Sequence, residues 1–301
     1  MRTLLRKAPL TFIATSYLFS WTFWLLAWIL AQDLSTGLLY NEALIRGVLF
    51  DSLSIQVLLV SFLSLVGVYG PLVGGVLATA VDGEASLRDL AARTLKIGIA
   101  RRWYLSALAI LLVAWLGPLL ILLAANGLQV QAQLTTTQLL TFLASFLVFQ
   151  LITSGTEEVG WRGYLLPKVL PGRSLWDAGW LVGIVWAVWH FPIVIMLFIA
   201  QGMTEPVQII GSLAGFSIGI VAMSMVHTWF YVRTRSVFLA ILIHASFNTL
   251  PLTTGMLFAD AYLGALLSQL ALWAIVIYLM RPSENAPRAV EAGPQDSAVP
   301  S

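Results

Sequence analysis

Eight apolar runs of about 20 residues divide this chain, near 10–31, 53–81, 103–125, 137–165, 178–200, 207–231, 236–254 and 261–280. That is the length an α-helix needs to cross the hydrocarbon core of a bilayer. Of the 301 residues 59% are hydrophobic and only 10% charged, and the mean hydropathy is +0.89. Such runs are too many and too long for the core of a soluble domain. The expected fold is therefore an all-α polytopic membrane protein, with about eight transmembrane helices in one domain over residues 1–281. The run from Leu10 to Ala31 is too long for the apolar region of a signal peptide and lacks a clear cleavage site, so it reads as a retained first span. Gly70-Pro71 predicts a kink in the second run. Residues 83–102 alternate charged and apolar positions, as an interfacial amphipathic helix would. The segment 282–301 has too little apolar surface to fold and is expected to form a disordered cytoplasmic tail.

The loop charges orient these spans. With the N-terminus in the cytoplasm, Arg2, Arg6, Lys7, Arg88, Arg93, Lys96, Arg101, Arg102, Lys168, Arg173, Arg233, Arg235, Arg281 and Arg288 all lie inside, leaving Arg46 outside and Arg162 within a span. Both termini are then cytoplasmic by the positive-inside rule. A net charge of +2 spread over such loops gives no reason to expect a nucleic-acid partner. There are no cysteines, which excludes disulfides, thiolate metal sites and cysteine nucleophiles. Internal repeats are not evident, which weighs against an inverted-repeat transporter.

Three polar pairs at i,i+4 interrupt the apolar runs: Glu158/Arg162 with Glu157 beside them, Trp186/His190, and His244/Asn248. A charged side chain at membrane depth costs roughly 2.5–3.5 kcal/mol on insertion scales, and residues four apart share a helical face. Three such faces point to one polar site within the bilayer. Glu158 lies ten residues before Lys168, and His244 nine after Arg235. At 1.5 Å per residue both sit about 13–15 Å from the cytoplasmic basic residues, in the inner half of the membrane. Pro192 would break or bend the fifth helix to bring His190 to the same level. Glu158 and Arg162 are expected to form an ion pair, while Glu157, turned about 100° away, suits a proton acceptor. A bland alternative is a helix-end salt bridge with Arg162 snorkelling to the interface. His190 and His244 have the alternative of satisfied core histidines, and Asn248 that of interhelical glue rather than an oxyanion donor. His227 has no i,i+4 companion and reads as a structural or interfacial residue near Arg233 and Arg235.

The order Glu157-Glu158-x-x-x-Arg162, Trp186-x-x-x-His190, His244-x-x-x-Asn248 on separate spans resembles the CPBP family of intramembrane endopeptidases. That family comprises CAAX prenyl proteases and bacteriocin-linked Abi proteins. Tyr69-Gly70-Pro71 and Arg102-Trp103-Tyr104 look similar as well, and the core of the resemblance covers about 140–252. The family usually has Phe where Trp186 stands. The resemblance implies hydrolysis of a peptide bond in a membrane-associated, prenylated CAAX-type protein or peptide. In it Glu157 activates water with help from His190, His244 and Asn248 stabilise the oxyanion, and Glu158 with Arg162 holds the constellation rigid. It also raises a divalent metal such as zinc, with Glu157, His190 and His244 as candidate ligands. The sequence itself carries no His-Glu-x-x-His zinc helix and leaves metal use open. Leu/Ala-rich spans and a short polar tail suit a bacterial plasma-membrane protein whose partners are the bilayer and its substrate. Two other readings stay open: a non-catalytic immunity or regulatory scaffold of the same fold, and a proton-coupled transporter.

Overall fold

A computed structural model describes residues 2–31, 48–49, 54–126, 135–257 and 261–281, and among these there is no β-strand. The tail expected over 282–301 lies outside them, as does Arg46. The helices are α1 (Arg2–Ala31), α2 (Ile55–Val68), α3 (Gly70–Val81), α4 (Glu84–Thr94), α5 (Arg101–Asn126), α6 (Thr136–Ile152), α7 (Glu157–Gly160), α8 (Leu166–Val169), α9 (Leu175–Ala200), α10 (Pro206–Thr234), α11 (Val237–Leu257) and α12 (Ala261–Leu279). Among the described residues six spans are long and apolar enough to cross a membrane: Ala8–Ala31, Ile55–Val81, Arg101–Ala124, Thr136–Val169, Leu175–Ala200 and Pro206–Thr234. The last two apolar helices are shorter in their described parts, Val237–Leu250 and Leu263–Leu279. The protein is an all-α polytopic membrane protein.

Local chemistry sets where helices begin and bend. Thr135 and Gln138 form a reciprocal capping box at the start of α6, and Ser174 caps α9 through the Asp177 amide. The second span is interrupted at Tyr69, with Pro71 in the first turn of α3, so the expected kink is a break between two helices. The amphipathic helix ends earlier than its pattern, at Thr94, and α5 starts at Arg101. Pro192 lies inside α9, which runs on through it to Ala200, so of the break or bend expected there the break does not occur. A proline removes a single helical hydrogen bond, and a packed membrane helix continues past that loss.

Small residues let backbones meet where the site is built. Gly183 of α9 faces α10 so closely that an added Cβ would lie 2.9 Å from the Val221 Cα. At Gly160, in α7, an added Cβ would come within 2.2 Å of the Pro71 carbonyl oxygen in α3. In a bilayer, where lipid is as apolar as leucine, such close approach is what packs helices. The α10–α11 connection is only Arg235-Ser236, with Arg235 in the left-handed conformation (φ 53°) that ends α10. Three loop regions gather at this end of the bundle. Lys168 pairs with Asp82 at 2.7 Å, Lys96 Nζ donates to the Thr234 carbonyl at 2.9 Å, and Ser236 Oγ donates to the Lys96 carbonyl at 2.7 Å. The basic residues assigned to these even-numbered loops thus share one end.

Candidate active site

The fourth span stops being a regular helix where its polar residues begin. Thr153 leaves helical geometry (φ −109°, ψ −98°), a single tight turn covers Ser154–Thr156, and after α7 a π-helical turn covers Trp161–Leu165. Short π segments are a recurrent device for aiming side chains at functional sites. Here the turn holds Arg162 and Gly163. The Gly163 carbonyl accepts from Arg93 Nη1 of α4 at 2.7 Å, and the same nitrogen donates to the Tyr231 hydroxyl at 2.7 Å.

Glu158 is the electrostatic centre. Its Oε1 accepts from Arg162 Nη1 at 3.0 Å and from His244 Nδ1 at 3.0 Å, and His227 Nε2 stands 4.0 Å away. Both Glu158 and Arg162 are fully buried. The helix-end alternative with Arg162 snorkelling is therefore excluded: the pair is internal. The mutual attraction is strong because water is absent, and it offsets the cost of burying each charge. Glu157 points elsewhere, as its position predicts. Its Oε2 accepts from the Trp186 indole N–H at 2.8 Å and, more weakly, from the Trp161 indole at 3.4 Å.

Trp186 binds the constellation together. Its ring lies 5.0 Å from His244, 5.9 Å from His190 and 6.1 Å from His227, with the Arg162 guanidinium 4.6 Å above it. It does so as a wall and as a donor, and only the first of these is available to Phe. His190, half-buried, donates from Nδ1 to the Trp186 carbonyl at 2.9 Å, which leaves Nε2 as the free nitrogen. His244 is held the same way by Glu158, so in its neutral form Nε2 is an acceptor and in its doubly protonated form a donor. Asn248 Nδ2 donates to Gln150 Oε1 at 3.2 Å, tying α11 to α6. Gln150 is a partner the motif does not contain. Asn248 also borders an apolar cavity of about 470 Å³ between α5, α10, α11 and α12, with Leu111, Trp115, Phe216, Phe247 and Leu272 in its wall.

Glu157, Glu158, Arg162, His190, His244 and Asn248 thus come from three separate spans, with Trp186 touching or bonding four of them. His227 is fully buried beside Glu158, which removes the interfacial half of its sequence reading and leaves the structural half. Among the described residues no three His, Asp or Glu side chains converge closely enough to share one metal ion. Glu157, His190 and His244 do not form a common ligand set in this arrangement.

Residues 138–250 match the family model described as type II CAAX prenyl endopeptidase Rce1-like. A relative, the CAAX prenyl protease 2 of Methanococcus maripaludis, is 34% identical over 105 residues, which is 34% of this chain. That match spans 38% of the relative's own length. The matched segment holds every site residue named above and the indole wall between them. Over residues 138–250 the chain is thus similar to the Rce1-like CAAX prenyl endopeptidases, and it spans well under half the length of the relative it matches.

Proposed function

We propose that this protein is an intramembrane endopeptidase that hydrolyses a peptide bond in a lipidated, membrane-associated protein or peptide of the bacterial plasma membrane. The observation that carries this reading is the division of labour between adjacent glutamates. Glu158 is spent on Arg162 and His244, while Glu157 meets only indole N–H donors and keeps a carboxylate oxygen for a water proton. In the proposed step Glu157 takes a proton from water as the oxygen attacks the carbonyl carbon, with His190 Nε2 orienting that water. The negative charge moves to the carbonyl oxygen, where His244 Nε2–H, in the doubly protonated ring, and the second amide N–H of Asn248 stabilise it. Collapse of the tetrahedral intermediate expels the amine, which takes the proton held by Glu157. Glu158 and Arg162 keep these groups aimed, and no step is routed through a metal.

The cavity at Asn248 supports a lipidated substrate: it is apolar, lies between helices, and borders the residue proposed to hold the oxyanion. Cleavage of a prenylated CAAX peptide by purified protein, against its unlipidated counterpart, tests the reading. We expect cleavage of the lipidated peptide alone, persisting after exhaustive chelation. No cleavage of either peptide would favour the regulatory scaffold, and chelator-sensitive, zinc-restorable cleavage would overturn the metal-free step.

Trp186→Phe probes the hold on Glu157. It keeps the aromatic wall and deletes the 2.8 Å donor, and kcat should fall about 10-fold, the equivalent of one hydrogen bond to a charged group. Wild-type kcat in that variant would mean that the indole N–H does not orient the base.

A further inference from the structure

His227 sits inside the catalytic constellation and has no task in the step above. Its Nδ1–H donates to the Met223 carbonyl at 2.7 Å within α10, and its Nε2, fully buried, has no hydrogen-bond partner. An aliphatic or phenyl side chain would fill this space without stranding a polar atom. The orphan nitrogen faces Glu158 Oε1 at 4.0 Å. Three other buried atoms close by are also unpaired, namely Glu158 Oε2, Arg162 Nε and Arg162 Nη2. With Nδ1–H donating to Met223, Nε2 of the neutral ring is an acceptor, and its match in this dry cluster is an unspent Arg162 N–H rather than the Glu158 oxygen. The charged and titratable groups facing His227 are Glu158 and Arg162 from the catalytic segment and His244 from α11, whose ring is 6.0 Å away. From α9 it meets the Trp186 indole at 6.1 Å.

We propose that His227 is a positioning residue of the hydrolytic site, its Nε2 accepting from an unspent Arg162 N–H and so, through the guanidinium, helping to fix the Glu158 carboxylate and the His244 ring that it holds. The proposal rests on the hydrolytic reading. Two variants test it: His227→Phe keeps the ring packing without the nitrogens, and His227→Gln restores a polar acceptor, its amide oxygen, at similar reach. The first should lower kcat about 10-fold with KM within about 2-fold of wild type, and the second should recover at least about a third of wild-type kcat. A purely packing role predicts the reverse order, with Phe the better replacement. Thermal unfolding of purified His227→Phe, Glu158→Gln and the double variant gives a readout independent of turnover. The Tm losses should fail to add by at least about 2 °C. Unchanged kcat in His227→Phe, or additive losses, would overturn the proposal. If His227→Phe does not accumulate, the same cycle run with His227→Gln decides it. If wild-type protein cleaves no substrate, the hydrolytic reading falls, and the cycle alone decides whether His227 holds Glu158.

Discussion

Glu157→Gln is expected to reduce peptide-bond hydrolysis by at least about 100-fold while leaving protein abundance at the wild-type level. The amide matches the carboxylate in size, and its oxygen can still accept from the Trp186 and Trp161 indoles. The local geometry therefore survives and only the proton acceptor is lost. Glu158 and Arg162 are untouched, so folding should not register the change. Single-turnover cleavage measured beside a thermal-unfolding profile separates the two effects. Full activity in this variant would remove Glu157 as the base and shift that role to one of the histidines.

Arg162→Ala should act on the fold before it acts on the chemistry. The guanidinium is fully buried, bonds Glu158 at 3.0 Å and lies 4.6 Å over the Trp186 ring. Its removal leaves a buried carboxylate without its main counter-charge and opens a hole beneath the indole. Breaking a buried pair in this way costs about 3–5 kcal/mol. We expect low yield, a lowered thermal midpoint and no cleavage. Arg162→Lys should rescue little, because a point charge cannot span carboxylate and ring as the planar guanidinium does. Size-exclusion profiles of detergent extracts would read the loss of folded protein. A monodisperse, active Arg162→Ala protein would contradict the internal ion pair.

The spans and the charged pair were readable in the sequence because the bilayer imposes a length on helices and a penalty on charge. Glu158 and Arg162 were legible from spacing alone, since an i,i+4 pair within one helix needs no tertiary knowledge. The partners that cross between helices were not. The bond from Trp186 to Glu157 depends on how α9 rotates against α7, and Gln150 meets Asn248 only once α6 and α11 are packed. The burial of His227 was hidden for a subtler reason. It lies eight residues before Arg235, and His244 lies eight after Ser236. A two-residue hairpin folds these equal distances onto one level, so the signal was a mirror symmetry about a turn whose tightness periodicity does not reveal. At Pro192 the local rule allowed a break or a bend, and the helix continues through it to Ala200.

The contact between Gly160 and Pro71 shuts one flank of α7. With those backbones touching, no chain can slide between α3 and α7. Two hollows remain beside the site on other flanks. One is the apolar cavity of about 470 Å³ at Asn248. The other, about 450 Å³, lies at the basic end of the bundle, where Asp82, Asp89, Arg93 and Lys168 line it beside Gly163. One opening is oily and the other is polar. A water-borne group and a lipid-dissolved one would therefore meet the bundle at different faces, one polar beside Gly163 and one apolar at Asn248, a difference set by the architecture rather than by the chemistry.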